Sequence, residues 1–164
     1  MENDFFSVKT KPFMNGKWVY ADAKKVLLIV FGFTEKTNSL ILIRQYRPPV
    51  NKFVISAPMG AFPDASLDKI IPIAAKEAEG ETGYKILDIN YFLTIDRSPG
   101  LTNEKAHIFV SKYSEKSGEQ NIHEDEIIEV LRIPKNQILN EIIKYTNLGD
   151  DIDSSILLLL NLPV

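Results

Sequence analysis

The sequence contains no cysteine. That excludes a disulfide framework, a thiol nucleophile and a thiolate zinc site. Histidine is almost as scarce: only His107 and His123 occur, and they lack metal-ligand spacing with each other. There is no basic block. Lys and Arg total 19 against 22 Asp and Glu, for a net charge of −3, which argues against non-specific binding to nucleic acid or to an anionic membrane surface. No apolar run is long enough to span a bilayer; the longest cover residues 26–33 and 156–160. Residues 1–15 mix charges with aromatics and hold no apolar h-region. No signal peptide is therefore expected, and the chain reads as cytoplasmic. Internal repeats and low-complexity linkers are also absent. What remains is ordinary: 164 residues, 45% hydrophobic and 25% charged, which predicts one domain, 1–164, around a single core.

Residues 26–33 (VLLIVFGF) are apolar throughout and rich in branched side chains, the composition of a strand covered on both faces. A turn at 35–39 leads to 40–45, expected as its antiparallel partner, and 53–57 reads as a short third strand. The Pro/Gly stretch 58–63 is expected to be irregular. Residues 68–82 read as a helix stopped by Gly83. Strands are predicted at 86–95, 106–113 and 126–133, with a loop at 96–105. Pro134 suits the first turn of a helix through Thr146, with Ile138, Leu139, Ile142 and Ile143 on one face. Asp153 or Ser154 can cap a last short helix at 156–160. Strands with helices between and after them predict an α/β class, a sheet layered with helices.

The helix at 68–82 carries Glu77, Glu79 and Glu81. Residues four apart lie about 40° apart around a helix, so Glu77 and Glu81 share a face while Glu79 points away toward solvent. Two carboxylates on one face repel. They form either a plain solvated surface or the oxygen side of a hard divalent cation site. Pro72 and Gly80 both weaken this helix, by about 3 and about 1 kcal/mol in an interior position. Pro72 is tolerable only in the first turn, and a purely structural helix needs neither residue.

The segment from Gly60 through Asp68 to Lys76-Glu77-Ala78-Glu79-Gly80-Glu81-Thr82-Gly83-Tyr84 resembles the box of the Nudix hydrolase superfamily, Gly-x5-Glu-x7-Arg-Glu-hydrophobic-x-Glu-Glu-x-Gly-hydrophobic. It departs at several positions: two extra residues separate Gly60 from Asp68, Asp68 and Lys76 keep the charge but not the identity of Glu and Arg, and Gly80 replaces the first Glu of the pair. The resemblance implies a Nudix-type α/β/α sandwich around a mixed β-sheet. It also implies a loop–helix–loop holding Mg²⁺, with Mn²⁺ as a substitute. Glu77, Glu81 and the Met59 backbone carbonyl would be the metal ligands.

Flanking motifs extend the likeness across roughly residues 41–130. Leu42 to Pro48 resembles the strand-end motif of nucleoside-diphosphate-sugar hydrolases, which implies that Arg47, with Arg44 beside it, meets substrate phosphates. A guanidinium fork suits that role. Ser56-Ala57-Pro58-Met59-Gly60 resembles Glu-Leu-Pro-Ala-Gly, with Ser56 in place of Glu. Pro99 lies sixteen residues after Gly83, the spacing of the ADP-ribose pyrophosphatase branch, and Glu104 follows as a candidate substrate or metal contact. In the loop His123-Glu124-Asp125-Glu126, the resemblance implies a carboxylate that assists the attacking water, at Glu126 or Glu124. Trp18 and Tyr20 suit either base stacking or packing.

The expected chemistry is Mg²⁺-dependent hydrolysis of the pyrophosphate bond of ADP-ribose or a related nucleotide sugar. Residues 1–24 would form a dimerisation or substrate-binding extension of a homodimer, with no nucleic-acid or membrane partner. The alternative is a catalytically impaired nucleotide-binding protein of the same fold.

Overall fold

A computed structural model of the chain describes residues 2–34 and 37–161, with side chains to Leu158. Among the described residues ten strands and two α-helices follow one another. They are β1 (Phe6–Phe13), β2 (Gly16–Ala23), β3 (Val26–Thr34), β4 (Ser39–Arg47), β5 (Lys52–Ser56), β6 (Met59–Phe62), α1 (Leu67–Thr82), β7 (Tyr84–Asp96), β8 (Lys105–Lys116), β9 (Ile128–Pro134), α2 (Ile138–Asn147) and β10 (Asp151–Ile152). A 3₁₀ helix covers Ser154–Asn161. Strands β1 and β2 make a separate antiparallel hairpin; the other eight form one mixed sheet.

Strand β3 is the axis of that sheet. Its alternate side chains feed two cores. Ile29, Phe31 and Phe33 pack on the side of α2 and the C-terminal 3₁₀ helix, with Leu40, Leu42, Ile138, Ile142 and Ile156. Val26, Leu28 and Val30 pack under α1 against Ile70, Ala74 and Ala78, an i, i+4, i+8 stripe. Helices thus cover both faces, and the wholly apolar sequence of β3 follows from that double coverage.

Strand β3 runs parallel to β8 over most of its length. Among the described residues it pairs with β4 only at Gly32 and Phe33, so the expected 26–33/40–45 hairpin is a brief contact there; the longer partners of β4 are β5 and β9. Residues 35 and 36 of the expected turn lie outside the described residues.

Four sequence expectations need correction. The stretch 58–63 is not irregular: β6 pairs antiparallel with β3 from Val26↔Phe62 to Ile29↔Met59. Pro58 needs no N–H there, because it serves the ladder only as an acceptor, for Val30 N–H at 3.1 Å. Pro72 lies in the second turn of α1, not the first; it sits on the exposed face, where the carbonyl it leaves unbonded can reach water. Pro134 ends β9 rather than opening a helix, and α2 starts at Ile138 after a 3₁₀ turn. Of the four apolar positions on α2, Ile138 and Ile142 are buried while Leu139 and Ile143 are about half exposed.

Gly83 ends α1 with φ +67°, and a Cβ there would lie 2.5 Å from the Gly118 carbonyl oxygen. Both facts demand glycine. At the C-terminal end, Asp153 Oδ1 accepts the Ser155 N–H at 2.8 Å, the expected cap.

Candidate active site

The C-terminal half of α1 lies against β6, and contact is close because Gly60 has no side chain. A Cβ on Gly60 would stand 2.5 Å from Glu77 Oε1 and 2.7 Å from Glu77 Cγ. The glycine is there to admit the glutamate. One turn further, Glu81 is buried at 7% exposure, and its Oε2 accepts the Met59 N–H at 2.8 Å. Because Val30 N–H bonds to the Pro58 carbonyl, the next pair, Ile29 and Met59, falls at a non-hydrogen-bonded position of the ladder. Both backbone groups of Met59 therefore face away from β3. The strand register thus supplies the N–H that holds Glu81 and leaves the Met59 carbonyl outside the ladder.

A third carboxylate enters from the loop before β9. Residues 123–126 form a turn closed by Glu126 N–H to the His123 carbonyl at 3.1 Å. The Glu126 side chain is gripped on both oxygens: Gln45 Nε2 donates to Oε1 at 3.2 Å, and His123 N–H donates to Oε2 at 3.2 Å. Burial pushes the Glu77 carboxyl up, and the charge of Glu126 pushes it further. Glu81 is pushed up to about 8. Burial is the main cause, the Met59 hydrogen bond opposes it, the charges of Glu77 and Glu126 add to it, and Arg47 partly offsets it. Arg47, at the end of β4, is therefore the cation that acts on this group.

The remaining predicted residues lie in different surroundings. Arg44 is occupied: it binds Asp150 through Nε at 2.6 Å and Nη2 at 3.0 Å, binds Glu129 at 3.1 Å, and stacks 3.8 Å over Phe53. Glu104 is partly buried, its carboxyl raised by burial, and the charges acting on it are Arg97 and Asp153. Glu124 is exposed in the turn. Glu79 is not simply solvated, since Ser117 Oγ donates to it at 2.9 Å.

The N-terminal hairpin docks on the Pro99 loop. Ala21 N–H donates to the Leu101 carbonyl at 2.9 Å and Ala23 N–H to Asn103 Oδ1 at 2.7 Å. Between them opens a recess of about 570 Å³ lined by Phe13, Trp18, Tyr20 and Pro99. Gln45 was missed by the sequence reading, although a signal existed: Ile41, Ile43 and Gln45 share one parity of β4, and a polar residue in an inward series is anomalous.

The donor set fits a hard divalent cation. It consists of oxygens only, the charge of Glu126 pushes both Glu77 and Glu81 up and that of Glu77 pushes Glu81 up further, and a cation would reverse that repulsion. Among the described residues no three such side chains form a ready-made metal cage, and Mg²⁺ does not require one, since it takes few carboxylates together with water and substrate oxygens.

Layered helices on a mixed sheet, with buried carboxylates at one helix end, define an α/β protein with an acidic site. The solved structure of an ADP compounds hydrolase has the same fold: TM-score 0.67 at 19% identity, covering 87% of this chain and 77% of that one. No family model matches the chain. In sequence it is 35% identical over 136 residues to the GDP-mannose pyrophosphatase of Shigella flexneri, covering 79% of this chain and 68% of the relative. To the enzyme of that name from Escherichia coli strain K12 it is 33% identical over 150 residues, covering 87% and 74%. A methanol dehydrogenase activator of Bacillus methanolicus is 27% identical over 106 residues, and the chain spans 56% of its length. The chain belongs to the Nudix hydrolases, in the branch of nucleoside-diphosphate-sugar pyrophosphatases. Among the described residues no helix is long and apolar enough to cross a membrane.

Proposed function

We propose that the chain hydrolyses the pyrophosphate bond of ADP-ribose or a related nucleoside diphosphate sugar, with Mg²⁺ as cofactor and Mn²⁺ as a substitute. ADP-ribose would give AMP and ribose 5-phosphate. The observation that carries this reading is the buried Glu81 carboxyl, held by the Met59 N–H and surrounded by Glu77 and Glu126. The names of the relatives add GDP-mannose to the substrates worth testing.

Glu77, Glu81 and the Met59 carbonyl would hold the metal, which when bound supplies charge for the diphosphate and lowers the pKa of water. Glu126 orients the attacking water and accepts its proton. It is preferred over Glu124 because its charge acts on both helix carboxylates. The water oxygen bonds to one phosphorus, and the bridging oxygen leaves with its electron pair on the other phosphate. Arg47 holds phosphate oxygens in place; Arg44 is less suited, since two carboxylates already bind its guanidinium. Glu104 is assigned to the edge of the substrate site through the Pro99 loop.

The exposed apolar residues Val8, Phe13, Trp18 and Val19 of the hairpin support a homodimer formed through the N-terminal segment, and the reaction is assigned to the cytoplasm. Product analysis over a panel of nucleotide sugars with Mg²⁺ tests the function. The expected result is paired release of nucleoside monophosphate and sugar phosphate, lost in Glu77→Gln and Glu81→Gln but kept in Glu79→Gln. Equal effects from all three changes would overturn the metal assignment.

A further inference from the structure

Gln45 is an unfavourable residue for its place. It is 4% exposed on the face of β4 that otherwise carries Ile41 and Ile43 under α1. Its Oε1 is buried with no hydrogen-bond partner among the described residues. The amide cannot be turned over to satisfy that oxygen, because Nε2 faces Glu126 Oε1 at 3.2 Å, and turning it would set a carbonyl oxygen against a carboxylate. Beside it on β5 the same cost recurs. Ser56 is 2% exposed and its Oγ is also buried and without a partner among the described residues. The register pairs Ile43 with Ser56 and Gln45 with Val54, so Ser56 and Gln45 project from the same face as diagonal neighbours. An apolar side chain would suit either position better, since a buried polar atom without a partner destabilises the fold.

What Gln45 gains is its grip on Glu126. That carboxylate sits in an exposed loop and is repelled by two carboxylates across the site. Among the described residues two donors hold it, Gln45 Nε2 and the His123 N–H. The second belongs to the same turn and moves with it. Gln45 is therefore the only bond among the described residues that ties the Glu126 side chain to the sheet.

We propose that Gln45 is a positioning residue for the hydrolytic step: it fixes Glu126 relative to the carboxylates of α1, at the expense of a buried unpartnered oxygen. This rests on the assignment of Glu126 as the carboxylate that acts on water. A purely structural glutamine and a positioning glutamine predict opposite outcomes for one substitution. Gln45→Leu removes the unpartnered oxygen and fills the same space, so the melting temperature should stay level or rise. The kcat for the best substrate should fall at least tenfold with KM changed less than threefold, because the buried Gln45 side chain acts through Glu126.

A double-mutant cycle with Glu126→Gln decides the route of the effect. The two losses should not add, since Gln45→Leu has nothing left to misplace once the carboxylate is gone. Unchanged kcat in Gln45→Leu, or a fall matched by a lower melting temperature, would overturn the proposal. So would a full additional loss in the double variant. If Glu126→Gln alone retains full activity, the assignment of Glu126 fails instead, and the two failures are told apart by that single variant.

Discussion

Two groups of buried carboxylates in this molecule are handled in opposite ways. Asp150 and Asp153, after α2, each face an arginine across the fold: Asp150 binds Arg44 through two nitrogens, and Asp153 binds Arg97 in the same manner, with both side chains 15% exposed. Burial pushes the Asp153 carboxyl up, but the hydrogen bonds from Arg97 and Ser155 more than offset it and hold it below the usual range. Glu81 is as deeply buried as these residues yet receives one backbone N–H and two neighbouring negative charges, and it is pushed up to about 8. The aspartates have their counter-charges built into the chain and serve to join β4 and the Pro99 loop to the C-terminal segment. On the function proposed above, the glutamates would take their counter-charge from a bound cation, since within the chain Arg47 only partly offsets the rise at Glu81. Burial alone does not distinguish the two groups; an arginine bonded directly to the carboxylate does.

The largest effect is expected at Arg97. Replacing it with Met leaves Asp153 buried without its partner, and the expected cost is about 3–5 kcal/mol, read as a fall in denaturant midpoint. A change below 1 kcal/mol would mean that the pair is not structural.

The next effect should be of opposite sign. Glu81 has a folded pKa above its unfolded value, so folding binds its proton. Its stability contribution is intact below about 4.5 and is lost as pH rises toward about 8. Asp153 runs the other way, losing stability as pH falls through its depressed pKa. In metal-free buffer, Glu81→Gln should therefore be close to wild type in stability at pH 4.5 and more stable at pH 8.5 by roughly 2–4 kcal/mol. Equal differences at both pH values would show that the carboxylate is not strained by ionisation.

The smallest expected effect is at Gly80. A Cβ there would meet the Asn121 carbonyl oxygen at 3.5 Å, an ordinary contact. Gly80→Ala should stabilise α1 by about 0.5–1 kcal/mol without changing Mg²⁺ affinity. Destabilisation would show that the loop crossing Gly80 tolerates no side chain.

Local patterns made much of this legible in the sequence. The two-faced apolar run of β3, the helix ended by Gly83, and the shared face of Glu77 and Glu81 all follow from periodicity, which is a property of neighbouring residues. What stayed hidden depends on pairing. Nothing in the Pro/Gly stretch says that β6 will borrow the edge of β3, because that strand is fixed by its partner. Pro134 fits a strand end as well as a helix start. The fates of Arg44 and Arg47, three residues apart, diverge because Asp150 lies more than a hundred residues downstream. Gln45 was readable as a break in an inward series, but its meaning needed Glu126 across the fold.

If the carboxylates of α1 hold a cation, thermal melting at pH 8 over a Mg²⁺ titration will show it. Wild type should gain stability with Mg²⁺, by about 2.7 kcal/mol at a hundredfold excess over Kd, a rise of several degrees. Glu81→Gln should start from a higher melting temperature and gain little. A wild-type curve that does not move with Mg²⁺, or a variant that moves as much as wild type, would contradict the claim.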